Sequence, residues 1–182
     1  MVENIKKIGI AGAGGLGSNI AVNLVRSGVD NIKIADFDVI DESNLNRQFY
    51  FKDQVGMVKV EALKVNLTRI NPELSIEIQG TKLNEGNMKE FFADCDIVVE
   101  AFDNSIYKAM LLENVGKKEL IVCGSGIAHH NLEEITVKQM GKNIYIVGDF
   151  SSDIKDCSTY SAKVQIVASI MANIVMERGN FY

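Results

Sequence analysis

Two textures alternate along this chain. Short apolar runs are followed by stretches in which apolar residues return every three or four positions, the spacing that puts them on one face of a helix. Residues 5–11 read as a first strand, and Leu16, Ile20 and Leu24 mark a helix ending near Gly28. Residues 31–36 form a second strand, and 37–52 show no regular period. Val55, Val58, Ala62 and Val65 place one apolar face on a helix reaching Ile70, where Asn71-Pro72 stops it.

The alternation continues. Residues 74–79 read as a strand, 87–93 as a short helix, and 95–102 as a continuous apolar strand buried on both faces. Residues 104–117 are helical and 119–126 form another buried strand. Two alternating runs, 133–140 and 143–150, meet at Gly141-Lys142-Asn143, a hairpin signal. A final helix over 161–177 is apolar nearly all round, which predicts burial or an interface. Strands alternating with helices imply an α/β fold: a Rossmann-like, doubly wound and mainly parallel sheet, with the hairpin as an antiparallel extension. With neither a linker nor a repeat in view, residues 1–182 read as a single nucleotide-binding domain.

Composition narrows the classes. The 182 residues are 47% hydrophobic and 24% charged, ordinary values for a globular protein. A net charge of -5 argues against sequence-independent nucleic-acid binding, which needs a basic face. The longest mostly apolar stretch, 164–176, is interrupted by Gln165, Ser169 and Asn173 and is too short to span a membrane. Without a leader-like start, a cytoplasmic location is expected. The three cysteines, Cys95, Cys123 and Cys157, are too far apart for a C-x-x-C site, so no zinc is expected.

The chemistry begins at "GAGGLG". Gly12, Gly14 and Gly17 have the G-x-G-x-x-G spacing between a strand and a helix, with Gly15 at the helix start. Gly12 permits the tight turn, Gly14 lets the backbone approach a phosphate, and Gly17 lets helix and strand pack closely. Free N–H groups at the helix N-terminus favour an anion there. Asp36 ends the second strand 19 residues after Gly17, where a carboxylate accepts hydrogen bonds from ribose hydroxyls. NAD and ATP both carry that ribose, so a NAD-dependent oxidoreductase and an ATP-using enzyme remain open here. Asp38 is either a supporting partner or plain loop.

The segment after Asp36 separates them. Asn44, Arg47 and Gln48 lie on one polar loop, Lys59 stands near the start of the next helix, and Asp103 follows the fourth strand at the carboxyl edge. Arg47 and Lys59 suit phosphate oxygens, and Asp103 suits Mg²⁺. Hydride transfer needs no such cluster, whereas nucleotidyl transfer does. The bland alternatives are an ion-paired Arg47, a solvated Lys59 and an Asp103 that only caps its helix.

These motifs resemble the ThiF/MoeB/HesA-type superfamily, adenylating enzymes related to the ubiquitin-activating enzymes. The likeness covers G-x-G-G-L-G-S (12–18), D-x-D (36–38), S-N-L-N-R-Q (43–48), G-x-x-K (56–59), T-R-I-N-P (68–72) and D-N (103–104), in the expected order. The resemblance implies an adenylyltransferase that uses MgATP to adenylate the C-terminal glycine of a small ubiquitin-like sulfur carrier ending in Gly-Gly. It implies roles for Asp36 at the ribose, for Asn44, Arg47 and Lys59 at the phosphates with Gln48 nearby, and for Asp103 at Mg²⁺. Thiamine thiazole biosynthesis is the expected pathway and a homodimer the expected assembly. A non-catalytic nucleotide- or carrier-binding protein is the remaining alternative.

The chain also departs from that pattern. It begins directly on the first strand, so the R-Y-x-R-Q-like segment of longer relatives is expected to be missing, as in the short ThiF-like form (ThiF family 2). Paired C-x-x-C motifs are absent from the sequence. Cys157 stands shortly before the last helix, where larger relatives carry a cysteine that takes sulfur or a thioester. Flanking Lys155 and Lys163 would favour its thiolate; the alternative is an inert loop cysteine.

Overall fold

A computed structural model describes residues 6–115, 117–153 and 156–181. Seven strands form one sheet in the order β3-β2-β1-β4-β5-β7-β6. In chain order they are β1 (Ile8–Ala11), β2 (Asn31–Ala35), β3 (Ser75–Gln79), β4 (Ile97–Glu100), β5 (Leu120–Gly124), β6 (Thr136–Met140) and β7 (Ile144–Gly148). The helices are α1 (Gly15–Arg26), α2 (Lys59–Thr68), α3 (Met88–Phe91), α4 (Ser105–Val115) and α5 (Ser161–Arg178).

Side-chain alternation sorts the core into two layers. Ile8, Ile10, Ile32, Ile34, Ile97, Val99, Leu120 and Val122 face one side of the sheet, where α1, α2 and α5 cover them. Ala11, Ala35, Val98, Ile121 and Cys123 face the other, beneath α3 and α4. The register follows: Ile8 lies beside Ile32 on one neighbour and Ile97 on the other. Slipping any central strand by one residue would turn its isoleucines to the wrong layer.

Three local expectations change. The helix drawn from Val55 begins only at Lys59, because Gly56 takes φ +88° and Val58 is extended, bridging Val39. A short 3-10 turn, Lys52–Gln54, fills the preceding stretch. The hairpin does extend the sheet, but β7 inserts beside β5 in parallel and only the outer β6 runs antiparallel. The last helix is not apolar all round in effect. Val164, Val167, Met171 and Val175 are buried, while Gln165, Ile166, Ser169 and Asn173 lie on its outer side.

Candidate functional site

A cleft of about 940 Å³ opens at the carboxyl ends of β1, β2, β4 and β5. Neighbouring parallel strands β1 and β4 lead off to opposite sides there, the crevice at which such sheets bind ligands. A second hollow, about 490 Å³ between β7 and α5, gathers none of the chemistry described above.

The glycine loop forms the floor. Gly12 takes φ +103°, and a Cβ there would approach the Ala101 carbonyl oxygen to 2.8 Å. A Cβ on Gly17 would overlap the Gly12 carbonyl oxygen, so this glycine closes the turn from beneath. Gly14 and Gly15 line the cleft itself, and α1 starts at Gly15 with no side-chain cap. Its first amide groups therefore remain available to a ligand.

The loop after β2 is stitched to this floor. The Ser18 hydroxyl accepts a hydrogen bond from the Phe49 amide at 3.0 Å. Asn19 Nδ2 donates to the carbonyls of Gly15 (2.7 Å) and Arg47 (2.9 Å). Tyr50, buried, donates its hydroxyl to the Ala13 carbonyl at 2.7 Å. Those bonds hold Arg47 and Gln48 over the start of α1, with the Arg47 Cγ 3.7 Å from the position a Gly15 Cβ would take. Arg47 Nη1 donates to the Ser43 carbonyl and to Asn46 Oδ1, and among the described residues no carboxylate pairs with it. Gln48 is buried, and among the described residues its Oε1 has no hydrogen-bond partner.

Asp36 lies beside the loop. Its carboxylate accepts from the amides of Ala13 (2.6 Å) and Asp38 (2.9 Å), leaving lone pairs for a further donor. Burial raises its pKa, and the nearby Lys59 charge works against that rise. Lys59 is not the solvated lysine of the bland alternative. It is 6% exposed, and its Nζ donates to Asp38 Oδ2 at 2.8 Å. Across the cleft stands Asp103, exposed on the turn between β4 and α4. The capping role falls to its neighbour: Asn104 Oδ1 accepts from the Ile106 amide at 2.8 Å.

Asn44 is not brought to the cleft. Its Oδ1 accepts from the Asp41 amide at 3.1 Å in a reciprocal cap of the 3-10 turn Glu42–Asn44, and Asn46 lines the cleft in its place. Cys157 is half-buried on the far wall beside Ser158. Lys163, expected to flank it, is buried elsewhere, donating to Asp149 and to the Ala128 carbonyl. Lys155 lies outside the described residues. Cys95 and Cys123 are buried, and burial pushes both thiols up to about 12. They are core residues, not nucleophiles.

Two ion pairs, each with a buried carboxylate, escaped the sequence. Glu100, wholly buried, accepts from Lys108 and from the Phe102 amide at 2.8 Å, while Lys108 also donates to the Gly124 carbonyl at 2.7 Å. This pins the turn that carries Asp103. Asp149 accepts from Lys163, from the amides of Ser151 and Ser152 and from the Ser152 hydroxyl. Burial alone would raise the Asp149 pKa, but the bonds from Lys163 and Ser152 outweigh it and hold the group well below the usual carboxylate range. The only hints were a charge ending an apolar run and a lysine inside an apolar helix.

The sequence model of one family, the ThiF family, matches residues 3–177. The chain belongs to the ThiF family. Among curated ThiF-like relatives, the adenylyltransferase and sulfurtransferase UBA4 of Candida glabrata is 37% identical over 66% of this chain and 29% of its own length. The molybdopterin-synthase adenylyltransferase of Haemophilus influenzae is 40% identical over 54% of this chain and 41% of its own length. That of Escherichia coli is 29% identical over 90% of this chain and 68% of its own. The chain thus spans under half the length of the first two. Among solved structures, the Escherichia coli tRNA N6-threonylcarbamoyladenosine dehydratase TcdA in complex with ATP superposes with a TM-score of 0.84 at 20% identity, covering 97% of this chain and 87% of that one. This likeness confirms the ThiF-type fold. Among the described residues of this ThiF-family chain, no helix is long and apolar enough to cross a membrane.

Proposed function

We propose that this chain binds MgATP in the cleft and transfers its adenylyl group to the C-terminal carboxylate of a small ubiquitin-like sulfur carrier ending in Gly-Gly, releasing pyrophosphate. The observation that carries this reading is the convergence, in one cleft, of a glycine-rich loop, a ribose-competent carboxylate, the cations Arg47 and Lys59 and an opposing carboxylate. The names of the curated relatives support it.

Each residue has a task. Asp36 takes ribose hydroxyls with its spare lone pairs, and the α1 N-terminus receives phosphate. Arg47 keeps N–H donors beyond those on Ser43 and Asn46, and these face phosphate oxygens as a planar fork. Asp103 is the residue that would hold Mg²⁺, a cation that takes one or two carboxylates and completes its shell from phosphates and water. Bound Mg²⁺ would offset the charge of the phosphates. The acceptor carboxylate attacks the α-phosphorus in line; one oxygen–phosphorus bond forms as the bond to pyrophosphate breaks. Arg47 and Lys59 stabilise the charge that builds on the phosphoryl oxygens.

The acceptor tail enters along the far wall, past Gly126 and Ser158, which brings it to Cys157. There the Cys157 thiolate would attack the acyl-adenylate carbonyl in a later step, forming a thioester to the carrier as AMP leaves. We assign the carrier to thiazole formation in thiamine synthesis, in the cytoplasm, with two copies of the chain packed through the outer side of α5. The test is ATP–pyrophosphate exchange with a carrier ending in Gly-Gly. Exchange that needs the carrier and ends on deletion of its last glycine supports the reading. ATP binding without exchange would favour a non-catalytic binding protein, and NADH binding in place of ATP would overturn the assignment.

A further inference from the structure

Resting on that reading, we propose that Asp38 acts as a placeholder for the triphosphate, holding the Lys59 ammonium in position until phosphate oxygens take it over. The two residues are fixed by backbone first. Lys59 N–H donates to the Asp38 carbonyl at 2.9 Å, Ile40 N–H to the Met57 carbonyl at 2.9 Å, and Gly56 N–H to the Ile40 carbonyl at 2.8 Å. With the Val39–Val58 bridge, these bonds make a small ladder that carries both side chains.

The side chains of the pair differ in freedom. That of Lys59 is 7% exposed and that of Asp38 is 49% exposed. Asp38 can therefore rotate its carboxylate into water at little desolvation cost, whereas a buried ammonium without a partner is costly. Exchange of partners is the low-energy route by which Lys59 becomes available: Asp38 leaves as the phosphate arrives.

Charge fixes the direction of the exchange. Asp36 and Asp38 both face this one ammonium, so the ribose end of the cleft carries two carboxylates against a single lysine. A bound triphosphate adds several negative charges, and Lys59 is the buried cation among the residues lining the cleft. An adenosine monophosphate, held mainly at its ribose, gains less from taking that cation. Asp38 is a positioning residue here: it acts through Lys59, and it sets how strongly the cleft prefers three phosphates to one.

The experiment measures ATP and AMP affinities by calorimetry for the native chain, for Asp38→Asn, for Lys59→Met and for the double variant. Asp38→Asn keeps the shape of the side chain and the backbone amide that serves Asp36. It should tighten ATP roughly fivefold, the scale of one half-exposed ion pair, and leave AMP within about twofold. In the Lys59→Met background the ATP gain should vanish, isolating the coupling between the two residues. Circular dichroism checks that each variant is folded. If Asp38→Asn leaves ATP unchanged, weakens both nucleotides alike, or tightens ATP equally without Lys59, the placeholder role is overturned while the nucleotide site stands. A native chain that binds no ATP overturns the nucleotide reading and this inference with it.

Discussion

Lys163→Met removes one half of a buried ion pair and keeps most of its volume. The side chains of Lys163 and Asp149 are 1% and 3% exposed. Losing the lysine strands a carboxylate that still accepts from Ser151 and Ser152, but it no longer has a countercharge. Breaking such a pair from one side costs about 3–5 kcal/mol, and the surviving serine bonds place this case near the lower end, at about 3 kcal/mol. Asp149→Ala should cost more, because among the described residues it leaves the ammonium with only the Ala128 carbonyl and also frees the serine amides. With a urea slope of about 2 kcal/mol per molar, Lys163→Met lowers the unfolding midpoint by about 1.5 M. The double variant should lose less than the two single losses added. The pH dependence carries the same signature. The folded-state pKa of Asp149 lies below its unfolded value, so its contribution is complete above about pH 4 and fades as pH falls below that. Lys163→Met should shrink this acid-side loss. A midpoint shift under about 0.5 M, or strict additivity, would refute the argument.

Other consequences are direct. Arg47→Ala should lower ATP–pyrophosphate exchange at least about a hundredfold with an unchanged urea midpoint, since among the described residues its bonds go only to Ser43 and Asn46. Gly17→Ala should abolish nucleotide binding and destabilise the fold by about 3 kcal/mol or more, read by calorimetry and urea unfolding, because the new methyl overlaps the Gly12 carbonyl. Asp103→Asn should raise the Mg²⁺ concentration needed for half-maximal exchange about tenfold, while AMP binding without metal stays the same. Cys157→Ser should leave exchange intact and stop sulfur transfer to the carrier; full transfer would make that thiol a bystander.

What the sequence displayed, and what it hid, divides along the range of the forces involved. Strands such as 97–100 were legible because period and apolarity are local, and the glycine loop was legible because each glycine answers a local steric demand. The start of α2 was missed because a positive φ at Gly56 and the bridge from Val39 to Val58 override the apolar period around Val55. In the loop after β2, Asn44 and Asn46 look alike on paper. A reciprocal cap with Asp41 turns the first away, and the second reaches the cleft. The pairs Glu100–Lys108 and Asp149–Lys163 span 8 and 14 positions and depend on tertiary burial, which no short window reports.

The seams made by Ser18, Asn19 and Tyr50 join the basic loop to the first helical turn, so both move as one plate. A ligand landing there meets groups already in place and gives up little chain freedom in ordering them. The nucleotide therefore seats itself on ground laid before it arrives.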